Sequence, residues 1–83
     1  QCLKVMSHPA RLRILCALRG GEQTVQNLEY YTEIKQTTLS QHLSLLKSRG
    51  VLVSRREATY SFYRISSDKI TELFDVIKEV YCT

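Results

Sequence analysis

The sequence predicts a mainly α-helical domain carrying one β-hairpin, in the order helix, helix, helix, helix, hairpin, helix. Three observations lead there. Leu39, Leu43 and Leu46 recur at i, i+4, i+7 and the pattern stops at Gly50, which is how an amphipathic helix and its C-terminal glycine read. The following residues, 51–65, turn to Val, Tyr, Phe and Ile in two short runs, the composition of strands. The single proline and the three glycines fall between the periodic segments rather than within them.

Taken in order, the chain opens at Gln1 on an apolar stretch, so the natural protein is expected to start earlier, with a first helix truncated here. Ser7-His8-Pro9 reads as a helix start, because a proline at the first helical position loses no hydrogen bond. Leu12, Leu15, Cys16 and Arg19 then fall at i, i+3, i+4, i+7, which puts Cys16 on the apolar side; Gly20-Gly21 stops the helix. Thr24 caps a short helix to about Tyr31, with Val25 and Leu28 on one face, and residues 32–35 form a brief turn. A longer helix runs from about Gln36 to Arg49. Strands at Val51–Arg56 and Tyr60–Ile65 follow, with Glu57-Ala58-Thr59 as a glycine-free tip. Ser66-Ser67-Asp68 opens a last helix carrying Ile70, Leu73, Phe74, Ile77 and Tyr81. The reading is thus a single domain over 1–83 with a helix-turn-helix at about 24–49, a wing at about 51–65 and a last helix at about 67–82. Short helix, turn, longer helix and hairpin make a winged helix-turn-helix.

Charge adds a direction. Residues 1–65 carry ten Lys/Arg against four Glu, and residues 66–83 carry two Lys against four Asp/Glu, so a net +6 body is followed by a −2 tail within a total of +4. That suits a polyanion-binding face and a separate surface kept away from it. An 83-residue chain that is 43% hydrophobic also has surplus apolar surface to bury against a second copy. No run of about 18 apolar residues is present, which excludes a helical membrane span, and no signal peptide is seen, leaving the cytoplasm as the expected compartment. Paired carboxylates, a Ser/His/Asp set and a phosphate-binding glycine loop are all missing, so an enzyme is not expected and no cofactor is called for.

The segment 35–49 carries the functional reading. Opposite its leucines lie Thr37, Ser40, Gln41 and Ser44, where an ordinary exposed helix would carry Glu and Lys. Short uncharged hydrogen-bonders suit a face that enters a groove: Gln pairs bidentately with adenine, and Ser and Thr bond base edges or phosphates. No acidic residue occurs among the 23 positions from Ile34 to Arg56, while Lys35, Lys47, Arg49, Arg55 and Arg56 are basic. The candidate DNA-contacting residues are Gln36, Thr37, Thr38, Ser40, Gln41, Ser44, Lys47, Arg55 and Arg56. The competing reading makes Thr37, Thr38 and Ser40 capping and packing residues and the arginines merely solvated. His42 adjoins the leucine stripe, which points to a buried, hydrogen-bonded role instead of base contact.

The segments 7–15 (Ser-His-Pro-Ala-Arg-Leu-Arg-Ile-Leu), 39–46 (Leu-Ser-Gln-His-Leu-Ser-Leu-Leu), Gly50-Val51-Leu52 and Tyr63-Arg64-Ile65 resemble the ArsR/SmtB family of bacterial regulators over nearly the whole chain. The resemblance implies a homodimeric transcriptional repressor on a palindromic double-stranded operator, dimerised through its first and last helices. Departures are Lys35, where the family often has a capping Ser, and the glycine-free wing tip. The family's metal motifs do not carry over: Thr24-Val25-Gln26-Asn27-Leu28 holds no thiolate or imidazole, and Ser67, Lys69, Val80 and Thr83 cannot hold zinc, nickel or cobalt. No metal is therefore expected.

Cys16 and Cys82 match the cysteine pair of the family's thiol-based branch, the BigR, SqrR and HlyU type. That resemblance implies that reactive sulfur species or oxidants join the two by a disulfide or polysulfide bridge and that the bridged form leaves DNA. Cys2 has no counterpart in that pair and reads as an incidental or interface thiol. Two alternatives stay open. One is an ArsR-like regulator with no redox or metal response, acting as constitutive repressor or anti-repressor. The other is a winged-helix protein-interaction module, which would show little salt dependence.

Overall fold

The computed structural model describes the backbone of residues 2–82 and the side chains of residues 4–80. Helix α1 is Cys2–Met6, and Val5 and Met6 at its end are buried. The first long helix, α2 (Pro9–Leu18), starts as the Ser7-His8-Pro9 punctuation predicts, with Pro9 at its first turn. His8 is the cap: its Nδ1 accepts a hydrogen bond from the Ala10 amide at 3.1 Å, satisfying one of the orphan donors at the helix start. Leu12, Ile14, Leu15 and Leu18 are buried. Cys16 is not among them; it is exposed, which corrects its expected place on the apolar side. The helix turns its core face through 14 and 18 rather than 16 and 19.

After α2 comes a strand the sequence did not announce, β1 (Gln23–Thr24), which leads directly into α3 (Val25–Thr32). Thr24 belongs to both: it pairs with Phe62 in the sheet, and its hydroxyl accepts from the Asn27 amide as the cap of α3. Leu28 is buried on α3, and Thr32 is buried with its hydroxyl donating to the Leu28 carbonyl at 2.6 Å. The turn that follows places Glu33 in left-handed backbone at φ 58, ψ 24. Helix α4 (Gln36–Ser48) buries Leu39, Leu43 and Leu46, the predicted stripe. It ends in a Schellman arrangement: the Val51 amide reaches the Leu46 carbonyl and the Gly50 amide the Lys47 carbonyl, with Gly50 at φ +78.

The hairpin is β2 (Leu52–Glu57) and β3 (Tyr60–Ile65), paired from Leu52↔Ile65 out to Glu57↔Tyr60. The connection is the two residues Ala58-Thr59, not the three expected, because Glu57 is a ladder residue. Ala58 adopts φ 57, the positive value that tight two-residue hairpins demand of their first loop position. The sheet order is β1-β3-β2. Helix α5 (Asp68–Cys82) opens on Ser67, whose hydroxyl accepts from the Ile70 amide at 3.3 Å. Phe74 and Ile77 are buried against the other helices, joining one core with Leu15, Leu28, Leu39 and Leu52. Mainly helical, with a small hairpin beside a helix-turn-helix, this is a winged helix-turn-helix.

Candidate nucleic-acid interface and thiol pocket

On α4, Thr37, Ser40, Gln41 and Ser44 lie opposite the leucines and Gln36, Thr38 and Lys47 flank the stripe, all exposed. The cause is local: with Leu39, Leu43 and Leu46 fixed inward, the residues on the far side of the helix must point outward. Lys35, the N-cap of α4, has extended backbone but offers no side-chain cap, so the amides of the first helical turn face solvent without one. Such a helix start favours an anion.

His42 is the exception on this helix. It is half-buried, its Nδ1 accepts from Arg11 Nε at 3.2 Å, and its ring lies 5.2 Å from that of His8. Burial first, then the charges of Arg11 and His8, push its pKa below the ordinary 6.5. This is the hydrogen-bonded structural histidine that the sequence suggested. Arg11 also donates to the Val5 carbonyl at 3.1 Å, so a single guanidinium ties α1, α2 and α4 together.

The wing arginines are not equivalent. Arg56 is exposed and forms no ion pair with any described residue. Arg55 is engaged within the chain: Nε and Nη2 reach the two carboxylate oxygens of Glu22 at 2.9 Å each, and Nη1 reaches Glu57 at 2.7 Å. Its guanidinium carbon also stands 4.5 Å from the centre of the Phe62 ring. The bond from Arg55 holds Glu22 below the ordinary carboxylate range, and Glu22 and Glu57 raise Arg55 in turn. Sequence reasoning missed this pairing, since Glu22 lies 33 residues away and no local pattern links the two.

Cys16 lines an open pocket with Arg13, Ala17, Gln23 and Tyr31. One turn further along α2, Arg19 forks onto Asp75 of α5, Nε to Oδ1 at 2.9 Å and Nη2 to Oδ2 at 3.0 Å. The Cys82 thiol and the Cys2 thiol lie outside the described residues. Among the described residues no group of three or more His, Cys, Asp or Glu gathers in a way that could hold a metal ion, and no helix is long and apolar enough to cross a membrane.

An exposed, acid-free helix of short polar residues beside a basic hairpin defines a winged helix-turn-helix regulator. Residues 8–54 match the family model described as bacterial regulatory protein, arsR family. The chain is 42% identical over 80 residues to the biofilm growth-associated repressor of Agrobacterium fabrum, covering 96% of this chain and 68% of that protein. It superposes on reduced HlyU from Vibrio cholerae with a TM-score of 0.85 at 37% identity, covering 98% of this chain and 85% of that one. A homodimeric winged helix-turn-helix DNA-binding domain from Mycobacterium bovis matches at 0.84 and 36%, covering 93% and 71%. The chain belongs to the ArsR family of bacterial transcriptional regulators, whose members here are DNA-binding proteins and not enzymes.

Proposed function

We propose that this chain is a cytoplasmic, homodimeric repressor that reads a palindromic operator, and that a Cys16–Cys82 disulfide or polysulfide bridge releases it from DNA. Gln36, Thr37, Thr38, Ser40, Gln41 and Ser44 face the major groove, while Lys47 and Arg56 contact phosphate. Dimerisation is supported by the outer face of α5, where Val76 and Val80 are 61% and 72% exposed. The homodimeric winged helix-turn-helix domain of M. bovis supports it too.

The observation that carries the switch is the Arg19–Asp75 fork. Arg19 is one turn from Cys16 on α2, and Cys82 stands two turns beyond Asp75 at nearly the same helical phase. The fork therefore ties together the two helices that bear the thiols. Cys16 is exposed, and Arg13 beside it brings a positive charge that attracts an anionic persulfide. With a hydroperoxide, the two thiols give up two electrons and two protons to form a disulfide. With a persulfide, Cys16 takes a sulfur atom. Closure onto Cys82 then sends two electrons and two protons to a second persulfide, which leaves as thiol and hydrogen sulfide. A bridge between α2 and α5 would change the spacing of the paired recognition helices, which must match half-sites one helical turn apart.

Peptide mass mapping before and after a persulfide donor, with DNA binding in parallel, tests this. A Cys16–Cys82 peptide with added sulfur and lost binding is expected. Unlinked thiols with unchanged binding would leave a regulator without a thiol response.

A further inference from the structure

Arg55 pairs with Phe62, and Phe62 pairs with Thr24, so one row of residues crosses all three strands in register. Side chains in such a row leave the sheet on one face. Arg55 does not extend outward from that face. It lies across the Phe62 ring and closes a bidentate fork on Glu22, the residue just before β1. The contact thus passes over the middle strand β3 and joins the outer strand of the hairpin to the segment that starts α3. That segment is short: β1 pairs with β3 through two residues, and the second, Thr24, is also the cap of α3.

We propose that Glu22 is a wing-positioning residue: its fork with Arg55, laid over Phe62, fixes the hairpin against the helix-turn-helix so that α4 and the wing meet one duplex together. This rests on the DNA-binding reading above. A lone exposed ion pair contributes little, but a planar guanidinium held by a two-point fork, a ring face and a second carboxylate at Glu57 is geometrically restrained. Bare electrostatics gives the opposite expectation. Glu22 is an acid on a DNA-binding protein, so neutralising it would raise affinity for phosphate. The sign of the effect therefore separates a strap from a simple repulsive charge.

The test uses the whole chain and a duplex that the wild type selects from a random pool, with anisotropy titrations at several salt concentrations. Glu22→Gln is expected to weaken binding on the order of threefold to tenfold, the range for residues that act on a site through others. In an Arg55→Gln background the strap is already gone, and the same change should instead raise affinity. Amide exchange across 54–63 should quicken in Glu22→Gln while the core amides keep their protection. Raised affinity in both backgrounds would overturn the proposal. If the wild type selects no duplex, the DNA-binding reading fails by itself; unchanged exchange over 54–63 in Glu22→Gln would then overturn the strap independently.

Discussion

Arg11 Nε donates a 3.2 Å hydrogen bond to Nδ1 of His42, joining the start of α2 to the middle of α4. The acceptor nitrogen must be unprotonated for this bond, and burial, Arg11 and His8 all favour the neutral ring. The native pKa is therefore lowered, whereas the unfolded chain takes a proton near 6.5. Below that pH the unfolded state binds more protons than the native one, so stability is full above it and falls as pH drops toward the lowered native value. Glu22 and Asp75 carry shifts of the carboxylate kind, held low by Arg55 and Arg19, and their contribution is lost only as pH falls below the ordinary carboxylate range. Urea midpoints measured between about pH 5.5 and 7.5 should rise with pH, and His42→Gln should flatten that slope. An equal slope in the variant would remove His42 as its origin.

Two positions in left-handed backbone should respond in opposite directions, because glycine is removed at one and introduced at the other. Gly50 sits at φ +78 with open space where a Cβ would be, so Gly50→Ala meets no clash and pays only for its conformation. The expected cost is about 1–2 kcal/mol. Glu33 already occupies left-handed backbone with a side chain that favours otherwise. Glu33→Gly should relieve that strain and stabilise by about 0.5–1 kcal/mol after the added freedom of the unfolded chain is subtracted. Denaturant unfolding of both variants checks the pair. A stable Gly50→Ala protein would show that the end of α4 relaxes by some other route.

Why some features were legible and others not follows from sequence distance. The leucine stripe of α4, the Thr24 cap and the strand Tyr60–Ile65 are local patterns, and each appears where it was read. The strand Gln23–Thr24 has no pattern of its own; it exists because the free edge of β3 is there to pair with it. Cys16 was assigned by spacing from Leu12, but α2 packs through Ile14 and Leu18 as well, which rotates its core face away from the thiol. The exposure of the α4 candidates was legible because the inward leucines decide what points outward. The pairing of Arg55 was not, because Glu22 and Phe62 come to it only through the folded sheet.

The proposed thiol switch depends on α2 and α5 being held in step, and the Arg19–Asp75 fork is a polar tie between them. Asp75→Asn keeps the shape and weakens the tie. Under a fixed dose of persulfide donor, the Cys16–Cys82 bridge should form several times more slowly on the order-of-magnitude scale expected when effective concentration falls, while the labelling rate of Cys16 by a monofunctional thiol reagent stays the same. Equal bridging rates would show that the fork has no part in bringing the thiols together.

The exposed face of α4 offers the sharpest division between positioning and reading. Lys47 lies in the last turn and carries a charge, so its contribution should be to phosphate and indifferent to sequence. Lys47→Ala is expected to weaken binding to all duplexes alike and to reduce the dependence of log affinity on log salt by about one unit. Gln41 is exposed and uncharged, and its amide can bond a base edge in two places. Gln41→Ala should leave the salt dependence as it was but cost about 1–3 kcal/mol of discrimination at one base pair of the selected site. Titrations on the selected duplex and on single-base variants, across a range of salt, read both effects in one experiment. If Gln41→Ala changes the salt slope and not the base preference, α4 is held by the backbone alone, and sequence is read elsewhere.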